Sequence, residues 1–132
     1  MTMQRIAIVE DSPDNRLLLH AMLKDLFDVV EFDNGEAALG GLADARPDLV
    51  LMDISLPVMD GTQVLSRMRD DPALRDVPVI ALTAHAMRGD REKYLAFGFD
   101  EYVTKPVVDE THLLEPIERL LAARASGPAV EP

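Results

Sequence analysis

The chain contains no cysteine. That excludes disulfides, thiolate metal sites and thiol chemistry, and it is compatible with a cytoplasmic setting. Long apolar runs are also missing, and nothing approaches the ~20 residues that a membrane-spanning helix needs. The opening M-T-M-Q-R-I-A-I-V lacks the layout of a secretory signal, because its apolar run is short and charges follow at once. A cytoplasmic location is therefore expected. Basic residues are scarce, with 13 Lys and Arg against 24 Asp and Glu and a formal net charge of -11. Such a surface repels phosphate backbones and anionic lipid, so neither nucleic acid nor membrane is expected as a partner. His20, His85 and His112 show no metal-ligand spacing. There is no internal repeat, and no low-complexity segment before the last residues.

What is present suits one α/β domain. A length of 132 residues leaves little for a second unit, and a hydrophobic content of 48% is enough to bury a core. The stretch that organises the chain runs from Leu49 to Gly61, L-V-L-M-D-I-S-L-P-V-M-D-G. Its continuous apolar start fits a strand buried on both faces of a parallel sheet. Asp53 stands where that strand runs out, and Pro57 with Asp60-Gly61 forces a tight loop after it.

The remaining elements follow from periodicity and stop signals. Arg5 to Val9 reads as a strand closed by Glu10-Asp11. Ser12-Pro13-Asp14 starts a helix to about Phe27, with Leu18, Met22 and Leu26 at helical spacing and Leu19 and Leu23 beside them. Val29 to Phe32 is a second strand. A small helix follows Asp33-Asn34-Gly35, with Ala38, Leu39 and Leu42 inward and Gly40-Gly41 weakening it. Asp60 caps a helix that turns Val64, Leu65 and Met68 inward and breaks at Asp70-Asp71-Pro72. Val79 to Leu82 is a strand ending at Thr83-Ala84. Met87 to Phe97 is a polar helix stopped by Gly98, and the charges around Arg88-Gly89-Asp90-Arg91 read as its solvated face. Tyr102-Val103 forms a short strand before Thr104-Lys105-Pro106. A last helix spans about Glu110 to Arg124, with Pro116 predicted to kink it or delay its start. The domain is thus expected to occupy residues 1–124, with 125–132 a flexible tail. Five strands alternating with helices predict a parallel sheet covered on both faces.

Glu10-Asp11, Asp53, Thr83 and Lys105 all fall at carboxyl ends of predicted strands. A parallel sheet brings those ends to one edge, where open α/β sheets bind ligands. Each member alone has an ordinary reading, as a helix start, a turn hydroxyl or a surface lysine; their convergence is the informative feature. Three carboxylates in one crevice need raised pKa values or a cation. Carboxylate oxygens without His or Cys suit Mg²⁺ better than zinc. A lysine and a hydroxyl complete what a phosphoryl group requires, and an aspartate can attack phosphorus to form an aspartyl-phosphate.

The stretches V-E-D-S at Val9 to Ser12, L-M-D-I-S-L-P-V-M-D-G, A-L-T-A at Ala81 to Ala84 and Y-V-T-K-P at Tyr102 to Pro106 occur together and in order. In these the chain resembles the receiver domains of two-component response regulators, of the single-domain or hybrid-kinase type. The resemblance implies a flavodoxin-like, doubly wound five-stranded parallel sheet of order 2-1-3-4-5, with five helices on its two faces. It implies that Asp53 accepts a phosphoryl group from a sensor histidine kinase or a histidine phosphotransfer protein. Glu10, Asp11, Asp53 and the backbone carbonyl of Ser55 would hold Mg²⁺, Glu10 through water. Lys105 would pair with Asp53 and then with the phosphoryl oxygens, across a Lys105–Pro106 bond that is often cis in the family. Thr83 would bond the phosphoryl group, with Ala84 and His85 flanking the pocket. Tyr102 would act as an aromatic switch, turning inward to change contacts with a downstream protein target. The implied protein is no enzyme beyond its own phosphorylation and dephosphorylation.

Two other readings fit less well. A small Mg²⁺-dependent phosphatase or phosphotransferase working through an aspartyl-phosphate usually carries a second acid two residues after the nucleophile, where this chain has Ser55. A flavodoxin-like cofactor binder needs a Gly-rich loop after the first strand, where Glu10-Asp11-Ser12-Pro13 stands instead.

Overall fold

The structure is a computed structural model that describes residues 3–84, 87–107 and 109–126. Among the described residues five strands and five helices alternate. They are β1 (Arg5–Val9), α1 (Pro13–Leu23), β2 (Asp28–Phe32), α2 (Gly35–Ala45), β3 (Leu49–Asp53), α3 (Gly61–Asp70), β4 (Val79–Thr83), α4 (Asp90–Phe97), β5 (Glu101–Thr104) and α5 (Thr111–Ser126). The strands form one parallel sheet in the order β2-β1-β3-β4-β5, the expected 2-1-3-4-5. β3 and β4 are buried along their whole length, which is why they carry continuous apolar runs rather than alternation.

Side-chain alternation along the strands splits the core into two layers. Ala7, Val9, Val50, Met52, Val79 and Ala81 meet Ala38 and Leu42 of α2 and Val64, Leu65 and Met68 of α3. Ile6, Ile8, Leu49, Leu51, Ile80 and Leu82 meet Leu19 and Leu23 of α1 and Leu113, Ile117 and Leu121 of α5. The inward positions expected for α2 and α3 are thus in place, with Leu39 half-buried.

Helix α1 departs from the sequence reading. It ends at Leu23, and its inward row is Leu19 and Leu23, while Leu18 and Leu26 are 39% and 52% exposed. Leu17 to Leu19, Met22, Leu23 and Leu26 offer apolar side chains nearly all round, so spacing alone admits more than one inward row. Phe27 is buried although it lies beyond the helix, on the chain's return to the sheet. Helix α4 begins at Asp90 rather than Met87, because Gly89 takes a left-handed conformation, φ 87°, at its N-cap. It stops at Gly98, φ 134°, as expected. The short fifth strand extends to Glu101 and Thr104.

Pro116 lies inside α5 and does not delay its start. The helix starts at Thr111, runs through Pro116 and reaches Ser126, beyond the Arg124 end read from the sequence. The proline is buried, so its ring packs into the protein at the cost of one helical hydrogen bond. Residues 127–132 of the expected tail lie outside the described residues.

Two glycines of α2 have different work. A Cβ on Gly40 would meet nothing within 4 Å, whereas one on Gly41 would stand 2.6 Å from Cε1 of Phe32. Gly41 is small because β2 and α2 approach closely there; Gly40 carries only the entropic penalty of glycine in a helix. Gly40→Ala is therefore predicted to stabilise the fold by about 0.5–1 kcal/mol, and Gly41→Ala to destabilise it. Urea unfolding of both variants checks this, and equal gains from the two would disprove the close approach.

Candidate functional site

The site lies at the carboxyl edge of the sheet and is assembled from the ends of four strands. The acids follow β1: Glu10 is fully buried, and its N–H donates to the carbonyl of Phe32 on β2 (3.0 Å), which carries the sheet's pairing one step past β1. Asp53 closes β3 and is 2% exposed; Thr83 closes β4 and is 4% exposed. Lys105 follows β5, and its N–H donates to the carbonyl of Thr83 at 2.7 Å. Parallel pairing sets Asp53 beside Leu82 and Thr83 beside Thr104, so the register itself lines these residues up.

Side chains close the site. Nζ of Lys105 lies 2.8 Å from Oε1 of Glu10 and 3.3 Å from Oδ2 of Asp53. The expected Lys105–Asp53 pair is present, but the shorter contact is to Glu10, which spacing along the chain does not reveal. The remaining oxygen of each acid takes a backbone donor: Ser12 N–H reaches Oε2 of Glu10 at 3.1 Å, and Ser55 N–H reaches Oδ1 of Asp53 at 3.0 Å. Carboxylate oxygens of Glu10, Asp11 and Asp53 all lie within 4.8 Å of one another, with Asp11 exposed at the rim. The Lys105–Pro106 peptide is cis, as expected.

The loop after β3 is tightly held. Asp60 and Gln63 form a reciprocal capping box at the start of α3. Gly61 packs so closely on β3 that an added Cβ would lie 2.4 Å from the carbonyl oxygen of Asp53. Just before that cap the Met59 N–H turns back to the Pro57 carbonyl at 2.7 Å, with Val58 at φ 67° and 97% exposed. A β-branched residue there is strained, and such strain persists where neighbouring structure over-determines it.

Ala84 is exposed beside Thr83, and His85 lies outside the described residues. Tyr102 already faces inward. Its ring packs against the α2–α3 layer of the core and stacks on Tyr94, with centroids 6.0 Å apart at 14°. Its hydroxyl is buried, with no hydrogen-bond partner among the described residues.

Two features lay beyond the sequence reading. Glu101 of β5 is buried and receives Arg91 of α4 at 2.6 Å and Arg119 of α5, so Arg91 is not simply part of a solvated face. Arg16 of α1 donates to the carbonyls of Glu10 at 2.9 Å and Asp11 at 3.2 Å. Neither contact follows a periodicity that a single sequence displays.

Burial is the largest influence on Glu10 and raises its pKa; Asp53 raises it further, and the bonds from Lys105 and the Ser12 N–H only partly offset this. Burial alone would lower the Lys105 pKa, but the bond to Glu10 and the charges of Asp53 and Glu10 outweigh it and the net direction is up. For Glu10 the sign of the stability effect follows. Unfolded, it titrates near 4.5; folded, it holds its proton to higher pH. As pH rises from 4.5 through the folded value, the unfolded chain binds fewer protons and stability falls. Glu10→Gln is predicted to raise the melting temperature at neutral pH, with the gain vanishing below the ordinary carboxylate range. Thermal unfolding across that pH interval measures it, and a gain independent of pH would exclude Glu10 ionisation as its source.

The chain matches the response regulator receiver domain family over residues 6–118. It is 37% identical over 131 residues to the sensor protein GacS of Pseudomonas syringae pv. syringae, covering 96% of this chain but 14% of that protein. It is 40% identical over 103 residues to the polar-differentiation response regulator DivK of Brucella anthropi, covering 77% of this chain and 84% of that one. Among solved structures it resembles the receiver domain of the sensor histidine kinase PA1611 from Pseudomonas aeruginosa PAO1, which has a magnesium ion coordinated in its active site cleft. The TM-score is 0.82 at 37% identity, over 92% of this chain and 99% of the other. This chain thus spans about one-seventh of the sensor kinase and most of the single-domain regulator. With a match that runs from β1 into α5, and three carboxylates gathered at the carboxyl edge of the sheet, the protein belongs to the response regulator receiver domains, a family of phosphoacceptor switches in two-component signalling.

Proposed function

We propose that Asp53 is the phosphoryl acceptor of this receiver. The observation that carries the reading is the convergence of Glu10, Asp11 and Asp53 on one point with the single ammonium of Lys105 between the two buried acids. An oxygen of Asp53 attacks the phosphorus of a phosphohistidine on a sensor histidine kinase or histidine phosphotransfer protein. The phosphorus–nitrogen bond breaks as the phosphorus–oxygen bond forms, and the imidazole leaves with the bonding pair. Lys105, already poised over Asp53, follows the charge onto the phosphoryl oxygens, and the Thr83 hydroxyl supplies a further bond. Ser55 N–H holds the other carboxylate oxygen and limits its rotation.

The donor set fits a magnesium ion: three carboxylates that can approach one centre, two of them buried, and, among the described residues, no nitrogen or sulfur ligand with them. Glu10, Asp11, Asp53 and the Ser55 carbonyl would hold it, with Glu10 through water. When bound, Mg²⁺ neutralises charge on the acids and on the transferring group. Ser55 provides no acid at the position where turnover enzymes protonate a leaving group, so the chain regulates rather than turns over substrate. Phosphorylation then alters contacts with a downstream protein. A cytoplasmic location is part of this reading and rests on the cysteine-free composition; among the described residues no helix is long and apolar enough to cross a membrane.

Asp53→Asn keeps the shape and removes the nucleophile. It is predicted to fold normally and to take up no acid-labile phosphate from a phosphohistidine donor; undiminished labelling would rule out Asp53 as the sole acceptor. The switch has a separate test. Moving a conformational population from 1:99 to 99:1 needs about 5.5 kcal/mol of differential binding, and a few charge-assisted hydrogen bonds at roughly 1.5–3 kcal/mol each supply it. Thr83 and Lys105 provide such bonds, and Tyr102, held inward without a partner for its hydroxyl among the described residues, is the side chain whose packing would respond. Thr83→Ala is predicted to accept phosphate and to lose most of the change in partner affinity. Partner binding with and without a beryllofluoride mimic measures this; an unchanged affinity ratio would send the signal by another route.

A further inference from the structure

The two acids that follow β1 stand on a loop of three residues, and the backbone of that loop is clasped from α1. Nη1 of Arg16 donates to the carbonyl oxygens of Glu10 (2.9 Å) and Asp11 (3.2 Å). The Arg16 N–H takes the Ser12 carbonyl at 3.0 Å as the first bond of the helix. All three carbonyls of the loop are therefore bound to one residue. On its other side Nε of Arg16 faces Oε1 of Glu31 at 3.4 Å, and Oε2 of Glu31 meets Nδ1 of His20 at 2.6 Å. Glu31 pairs with Ile8 in the sheet, so it sits beside β1 near the same edge. The Arg16 side chain is only 21% exposed and that of Glu31 33%, which makes this a partly enclosed arrangement rather than a free surface pair.

The directions in which the Glu10 and Asp11 side chains leave the chain depend on the backbone torsions of the loop, and those torsions also fix where its carbonyls point. A guanidinium has planar, rigid donor geometry, so it holds consecutive carbonyls in one relation to α1. A cation this close to a magnesium site would also repel the metal unless its charge were balanced. Glu31 balances it.

We propose that Arg16 is a positioning residue for the phosphoryl-transfer site: it sets the aim of Glu10 and Asp11 through their carbonyls, and Glu31 offsets its charge so that the clasp does not oppose the metal. The inference rests on the reading that these acids hold Mg²⁺. Outer groups that orient metal ligands commonly govern affinity by about 10–100-fold.

The test is a Mg²⁺ titration of the unphosphorylated chain, at a temperature where every variant is folded. Arg16→Gln with Glu31→Gln removes one charge of each sign, so net charge is unchanged while the clasp is lost together with the Glu31–His20 contact. Mg²⁺ affinity in this double variant is expected to fall about ten-fold. Glu31→Gln alone leaves Arg16 unbalanced, and its loss of affinity is expected to shrink as salt is added. With an acyl phosphate as donor, the double variant is expected to need more Mg²⁺ for half-maximal labelling yet to approach the parent rate when Mg²⁺ is saturating. A role confined to stability would lower the melting temperature and leave both Mg²⁺ readouts where they were. Glu10→Gln with Asp11→Asn is the control for the site. If the parent binds Mg²⁺, this control does not and the clasp variant binds as the parent does, the Arg16 proposal is overturned while the site reading stands. If the parent fails to bind Mg²⁺, or the control binds as tightly, the site reading fails and takes the clasp with it.

Discussion

One ammonium group stands between two buried carboxylates at the carboxyl edge of the sheet, and the arrangement of this protein depends on that imbalance. Glu10 and Asp53 are almost wholly removed from water, where an unpaired carboxylate is costly. Lys105 answers both, more closely Glu10 than Asp53. A third carboxylate, Asp11, stands at the rim with no share in that ammonium. Two buried acids thus share one ammonium, and burial first, with the charge of Asp53 beside it, pushes the pKa of Glu10 up. On the function proposed above, such an edge would take a divalent cation and a phosphoryl group, whose negative charge the cation and the lysine would share.

The sheet makes this crowding possible. Central strands β1, β3 and β4 are buried on both faces by helices, so their ends are anchored by apolar packing rather than by the polar groups themselves. The acids cannot relax apart without disturbing that packing. Local devices then refine the aim. The Ser12 and Ser55 N–H groups each hold one carboxylate oxygen, Gly61 lets α3 begin against the end of β3, and Arg16 ties down the carbonyls behind Glu10 and Asp11. The strained γ-type turn at Val58 closes the same loop.

At the far edge of the sheet, β5 is flanked by a second polar assembly. Glu101 joins α4 to α5 through Arg91 and Arg119, while Tyr102 on the same strand stacks against Tyr94 of α4. On the switch proposed above, any movement of Thr83 toward a phosphoryl group would meet a strand whose two neighbouring helices are linked through one carboxylate. The buried hydroxyl of Tyr102, without a partner among the described residues, makes its inward position less comfortable than burial of the ring alone would.

Much of this was legible from residue order. The run Leu49 to Met52 ending at Asp53 reads as a buried strand with an acid at its tip, because only a strand covered on both faces is apolar without alternation. Five such punctuated units imply a parallel sheet, and a parallel sheet puts Glu10, Asp11, Asp53, Thr83 and Lys105 on one edge without reference to coordinates. The inner face of α3 was equally plain, since Val64, Leu65 and Met68 are its apolar side chains on an otherwise polar helix. The inward row of α1 was not, because Leu17, Leu18, Leu19, Met22 and Leu23 offer apolar groups in several directions and only docking on the sheet chooses among them. Nor was the preference of Lys105 for Glu10, the Arg16 clasp, the Arg91–Glu101–Arg119 link or the close approach of Gly41 to Phe32. The sequence by itself determined the element types and the edge at which the reactive groups meet, because those follow from periodicity and chain direction. Only the tertiary structure decided which groups touch, because contacts between residues far apart in the chain depend on small distances that no spacing along the sequence encodes.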